Sequence, residues 1–177
     1  GLVRALLEAG ADPELRSKDG YVPMFLAIDN GYPAVAKHLL ERGAKFSGLG
    51  YLRHTALTAA SHYGQIEVVK ALIERGADIE ASAPNGHSPL TSASAHGQAG
   101  VVEVLLELGS QIEAKADSGH TPLSVAAALG QLSIVRLLLD KGADASAPGL
   151  NAKLPVDLAR EKSHLAIVDE LESREYK

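Results

Sequence analysis

The sequence predicts an all-α fold, a solenoid of stacked helix-turn-helix units joined by short β-hairpin-like turns. Gly10, Gly43, Gly76, Gly109 and Gly142 stand 33 residues apart, each closing a segment that reads like Glu74-Arg75-Gly76-Ala77-Asp78. Gly31, Gly64, Gly97 and Gly130 repeat with the same period, as do Ala27, Ala60, Ala93, Ala126 and Ala159. A fixed period of about 20 to 50 residues marks an array in which no unit buries its apolar face alone. Such an array offers an extended surface more readily than a pocket.

The stretch from Ala116 to Ser146 shows the elements of one unit most clearly. Asp117-Ser118-Gly119 is a turn. Thr121-Pro122 opens a helix, because proline is tolerated in a first turn where its missing N–H has no partner, and threonine caps. Leu123, Ala126 and Ala127 supply a small apolar face, and Gly130 closes the helix in the left-handed conformation. A second helix follows from about Leu132. Its Ile134, Val135, Leu137, Leu138 and Leu139 cover a broad apolar arc, with Ser133, Arg136 and Asp140 toward water. Lys141-Gly142 ends it, and Gly142-Ala143-Asp144-Ala145 leads into the next unit.

These residues, Gly119-His120-Thr121-Pro122-Leu123-Ser124-Val125-Ala126-Ala127 with Gly130 and Leu137-Leu138-Leu139-Asp140-Lys141-Gly142-Ala143-Asp144, resemble the ankyrin-repeat signature. Its specificity lies in several fixed offsets recurring together. The resemblance implies one ankyrin-repeat domain over residues 1–177. Its expected parts are a partial repeat at 1–16, full repeats at 17–49, 50–82, 83–115 and 116–148, and a C-terminal capping repeat at 149–177.

In chain order, residues 1–10 supply a second helix alone, so Leu2, Val3, Leu6 and Leu7 are expected to need a further repeat or another cover upstream. The next unit carries Val22-Pro23-Met24-Phe25 in place of the family's Thr-Pro-Leu-His. Its exit, Ser47 to Arg53, has two glycines and Arg53 where others have glycine, and is expected to depart from the regular turn. In the last unit Leu154-Pro155 is a worn opening and Ser163 replaces the interhelical glycine. Asp169, Glu170, Glu172, Arg174, Glu175 and Lys177 then make its outer side polar, as a capping repeat requires.

Apolar residues form 46% of the chain but aromatics only 4%, so Leu, Ala, Val and Ile do the packing. Runs such as Val101 to Leu106 are far shorter than the roughly 20 residues of a membrane span. The absence of Cys excludes a disulfide framework, a thiol nucleophile and thiolate zinc, and points to an intracellular, cytoplasmic protein. A net charge of -5 with scattered Lys and Arg forms no basic stripe, so nucleic acid is not an expected partner. No start Met or secretory signal is present, which reads as a piece of something longer; a monomer is expected.

The ankyrin resemblance implies recognition through the turn tips and the inner face of the first helices. The candidate partner-binding residues there are Tyr21, Asp29, Asn30, Tyr51, Leu52, His54, His62, Tyr63, His87, His96 and His120. Tyr and His suit such a role because each joins an apolar body to a polar tip. Against this stands the reading that His before Thr-Pro or Ser-Pro is ordinary turn chemistry of the family. His54, His87 and His120 occupy equivalent positions, but units stacked about 8 to 10 Å apart cannot converge on one metal. Their imidazoles raise the expectation of partner affinity that changes between about pH 5.5 and 7.5. Asp29, Ser61 and His62 form a hydrolytic triad only on paper, since no nucleophile elbow or oxyanion loop accompanies them. His38 and His164 are assigned to packing, and Glu41, Glu67, Glu74, Glu103 and Glu107 to a solvated convex side.

The expected function is therefore a non-enzymatic module, without cofactor or metal, that binds a protein or peptide partner through a concave surface. The alternative is an architectural segment of a longer array that docks within its own polypeptide.

Overall fold

Threonine, serine and proline recur where each first helix begins, and glycine recurs where helices end, so the chain folds as a succession of short helix pairs. The structure, a computed structural model, describes residues 2–47, 54–84 and 86–175. It holds α1 (Leu2–Glu8), α2 (Pro23–Asp29), α3 (Pro33–Glu41), α4 (Ala56–His62), α5 (Ile66–Glu74), α6 (Pro89–Ala95), α7 (Ala99–Glu107), α8 (Pro122–Ala128), α9 (Leu132–Asp140), α10 (Pro155–Glu161) and α11 (Leu165–Glu175). No strand occurs among the described residues. The tips are closed instead by turn bonds such as Ala83 N–H to the His87 carbonyl (3.0 Å) and Ala116 N–H to the His120 carbonyl (2.8 Å). The irregular exit at residues 48–53 lies outside the described residues.

Helices α2, α4, α6, α8 and α10 stack in one layer, and α3, α5, α7, α9 and α11 in a second, with each first helix packed on its own second helix. From α4 onward the first-helix layer is in the closer contact, which curves the array toward that side. Small side chains permit this: Ala60, Ala93, Ala126 and Ala159 are all fully buried. The second-helix layer is filled by a leucine ladder that passes through Leu39, Leu72, Leu105, Leu138 and Leu171, each at most 1% exposed. Burying each such side chain contributes about 1.5–3 kcal/mol.

Local capping follows the side chains available. Thr55, Ser88 and Thr121 accept hydrogen bonds from the N3 amides of α4, α6 and α8, and Thr121 with Ser124 completes a capping box. Val22 and Leu154 cannot do this, and neither α2 nor α10 has a side-chain N-cap.

A glutamine ladder ties the pairs together. The side-chain amides of Gln65, Gln98 and Gln131 donate to the carbonyls of Ile28, His62 and Ala95, at 2.8, 3.0 and 3.1 Å. These reach carbonyls at the end of the preceding first helix, that of Ile28 also accepting from the Gly31 N–H at 3.1 Å. His164 takes the same position in the last pair, its Nε2 lying 3.2 Å from the Ala128 carbonyl. At the C-terminal end, Glu170 joins Arg136 (2.6 Å) and Arg174 (3.0 Å), while Arg174 also reaches Asp140 (2.6 Å). The Arg136 guanidinium foremost holds the Glu170 carboxyl below its ordinary pKa. The acidic outer side of α11 is thus partly paired with α9.

Ser163 adopts φ 60°, where the equivalent Gly31, Gly64, Gly97 and Gly130 have φ between 69° and 77°. A Cβ is strained in that region at a cost of roughly 1–2 kcal/mol, part of which glycine returns as unfolded-chain entropy. Ser163→Gly is therefore expected to raise stability by about 0.5–1 kcal/mol, read as a higher thermal midpoint.

Candidate functional site

The close stacking of first helices brings the residues at their C-terminal ends together. His62 is the last residue of α4, Tyr63 is its C-cap, and His96 is the C-cap of α6. The His62 and His96 ring centroids are 3.7 Å apart and tilted by 40°, and Tyr63 meets His62 edge-on at 4.5 Å. His54, in the turn before α4, lies 5.7 Å from His62. The result is a continuous tier of three imidazoles and a phenol across the α4/α6 junction. His62 and His96 stand 34 residues apart, one residue out of phase with the 33-residue period, whereas Tyr63 is the strict equivalent of His96.

The rings differ in setting. His96 is exposed, and its Nδ1 donates to the Ser92 carbonyl at 2.9 Å, closing the end of α6. His62 is half-buried and its Nδ1 has no hydrogen-bond partner; the same holds for Nδ1 of His54, which is only 7% exposed. Asp29, His87 and His96 all act on the buried His54 ring. His87 and His120 are half-buried at the next two tips, and His120 Nδ1 is 3.0 Å from Ser124 Oγ.

Burial pushes the His54, His62, His87 and His120 imidazoles below their ordinary pKa. For His62 the repulsion of His96 and then His54 adds to burial and brings the value to about 4. Asp29 opposes burial at His54 and, after burial itself, raises the Tyr63 pKa. At neutral pH the His62 ring is therefore uncharged. Its titration thus falls below the pH 5.5 to 7.5 expected of unperturbed rings.

Of the other candidates, Tyr21 and Asp29 are half-buried, and Asn30 is exposed with its side-chain amide donating to the Leu26 carbonyl at 2.8 Å. Tyr51 and Leu52 lie outside the described residues. Ser61 is fully buried, its hydroxyl donating to the Leu57 carbonyl at 2.7 Å, so it cannot serve as a nucleophile for a solvent-borne substrate. Among the described residues no three His, Asp or Glu side chains are grouped so as to hold a metal ion. His38 pairs with Glu41 at 3.3 Å on the second-helix layer.

Three features go beyond the sequence. His62 and His96 come from different helical offsets, which lets them approach each other, but the ring contact itself is not encoded. The glutamine hooks had a legible signal, since Gln65, Gln98 and Gln131 are themselves 33 apart. A third feature is a groove of about 930 Å³ beside α1 and α2, lined by Leu2, Val3, Leu15, Tyr21, Leu26 and Tyr32 among others.

The model of a family described as "Ankyrin repeats (3 copies)" matches residues 1–83 and 80–148. The chain belongs to the ankyrin-repeat family. Over 55 residues, 31% of its length, this ankyrin-repeat chain is 36% identical to "Protein fem-1 homolog A" of Homo sapiens and to "Protein fem-1 homolog A-A" of Mus musculus. The match to "Protein fem-1 homolog A" of Bos taurus is 34% over the same length. In each case it spans 8% of the relative. Ankyrin repeats are in general protein-protein interaction modules, typically without catalytic activity. No helix among the described residues is long and apolar enough to cross a membrane.

Proposed function

We propose that this array binds a protein or peptide partner through the tier formed by His54, His62, Tyr63 and His96, flanked by Asp29, Asn30, His87 and His120. The observation that carries this is the ring stack across the α4/α6 junction, with Tyr63 38% exposed and His96 open to solvent on the closely packed side of the array. Aromatic and imidazole rings held in register present apolar area and polar edges while little side-chain freedom remains to be lost. Tyr51 and Leu52 belong to the same proposed surface by their place in the repeat.

The N-terminal groove favours a second reading, an architectural segment that docks within a longer polypeptide. Leu2, Leu15 and Tyr32 are largely exposed there, a concentration of apolar surface that a soluble monomer ordinarily covers. One affinity-capture experiment separates the two. On the first reading, Tyr63→Ala with His96→Ala lowers retention of the captured partner at least about tenfold, the loss of roughly 1.4 kcal/mol or more expected of hot-spot side chains. On the second, that pair captures as the wild type does, and Leu2→Asp with Leu15→Asp abolishes capture.

A further inference from the structure

We propose that the junction between the α4–α5 and α6–α7 helix pairs is an acid-sensitive seam, at which protons taken up by the stacked rings of His62, His96 and His54 drive the two pairs apart. The device belongs to the array itself and acts whether or not a partner occupies the tier.

The geometry supplies the reason. His62 from α4 and His96 from α6 are in van der Waals stacking at 3.7 Å, and His54 stands 5.7 Å from His62. Two imidazolium ions at such separations repel strongly where burial reduces the effective dielectric constant. The Nδ1 atoms of His54 and His62 are buried and accept or donate no hydrogen bond, so a proton added there gains a charge without a partner. The same interface is clamped by the Gln98 side chain, which donates to the His62 carbonyl, and by the close fit of that side chain at Gly64. Separation of the rings therefore pulls directly on the hook that joins the pairs.

The charged and titratable groups around the seam do not neutralise it. From α2, Asp29 acts on His54 and Tyr63 but is not among the influences on His62. From the tip before α6, His87 adds to the repulsion at His54 and interacts with His96, and His120 in turn senses His87. Within α4, the C-terminal end carries partial negative charge that favours a cation at His62. Burial and the two neighbouring rings nevertheless outweigh it, since His62 is shifted down to about 4.

The direction of the linkage follows. An unfolded His62 takes up its proton near pH 6.5, whereas the folded ring resists until about 4. Between those values the opened seam binds more protons than the closed one, so stability is complete above about pH 6.5 and falls as pH drops toward 4. An excess of one proton changes the opening equilibrium by up to tenfold per pH unit, and partial solvent exposure of the rings brings the expected change to about three- to tenfold.

The test is amide hydrogen exchange on the whole chain from pH 8 to 4, corrected for intrinsic exchange, together with NMR titration of the imidazole protons. In the wild type, opening at α4 to α7 should steepen below pH 6.5 by that three- to tenfold per unit, while α8 and α9 respond less. His62→Gln, and independently the exposed-site variant His96→Gln, should flatten the dependence. Equal pH slopes in the wild type and both variants would overturn the proposal. So would a wild-type His62 ring that titrates near 6.5 with no change in opening, a readout that needs no variant to fold.

Discussion

Leu105→Ala is expected to lower the stability of the array by about 3 kcal/mol, within the roughly 2–5 kcal/mol range of buried leucine truncations. Leu105 is fully buried in α7, the helix that packs on α6 and lies between α5 and α9. Removing three heavy carbons there loses their transfer free energy and leaves a cavity that helices on three sides cannot collapse without disturbing the flanking interfaces. Because each unit contacts only its neighbours, the loss falls on two interfaces at once and reduces the cooperativity of the whole. The comparison with Leu6→Ala isolates this context. Leu6 occupies the same register position, yet it is 49% exposed at the α1 end. Its truncation should cost no more than about 0.5–1 kcal/mol, as for surface sites. Denaturant titration monitored by helical circular dichroism reads both; similar losses at the two positions would show that the ladder is not what couples the pairs.

The helix pairs were legible because short-range chemistry and the period agree. Thr121-Pro122 opens α8 and Gly130 separates it from α9 as local capping rules require, and Ala27, Ala60, Ala93, Ala126 and Ala159 line up where first helices meet. Val22 and Leu154 were visible as departures, and both leave their helices without a side-chain cap. The tier was only partly legible. His62 and His96 could be placed on adjacent first helices, but a 3.7 Å ring stack depends on rotamers and on the spacing between pairs, neither of which a periodic pattern encodes. His54 illustrates the same limit: its place at a tip is legible, but not that its ring is only 7% exposed. Long-range hooks such as Gln98 to His62 repeat in the sequence, but their target is a backbone carbonyl, which carries no residue-type signal.

Gly86→Ala should cost about 3 kcal/mol, and Gly119→Ala about 1–2 kcal/mol, although the two glycines have nearly the same backbone conformation. Their φ angles are 80° and 84°, so the left-handed penalty on a Cβ is common to both. What differs is the space. A Cβ on Gly86 would stand 2.6 Å from the Asp117 Cβ and 3.1 Å from its backbone nitrogen, whereas one on Gly119 meets only the Gly149 carbonyl oxygen at 3.8 Å. The Gly86 carbonyl also accepts the Asp117 N–H at 3.0 Å, so the clash falls on a bond that joins consecutive tips. Relief requires the tip before α6 to move away from the tip before α8, which stretches that bond and tilts two first helices whose mutual contact is otherwise close-packed. The difference between the two variants, about 1–2 kcal/mol, measures the tightness of the tips with the conformational term cancelled. Equal destabilisation in paired denaturant titrations would mean that the tips yield freely; then the rings they carry, from His54 to His120, would not be held in register by the turns, and the tier would owe its order to the first helices alone.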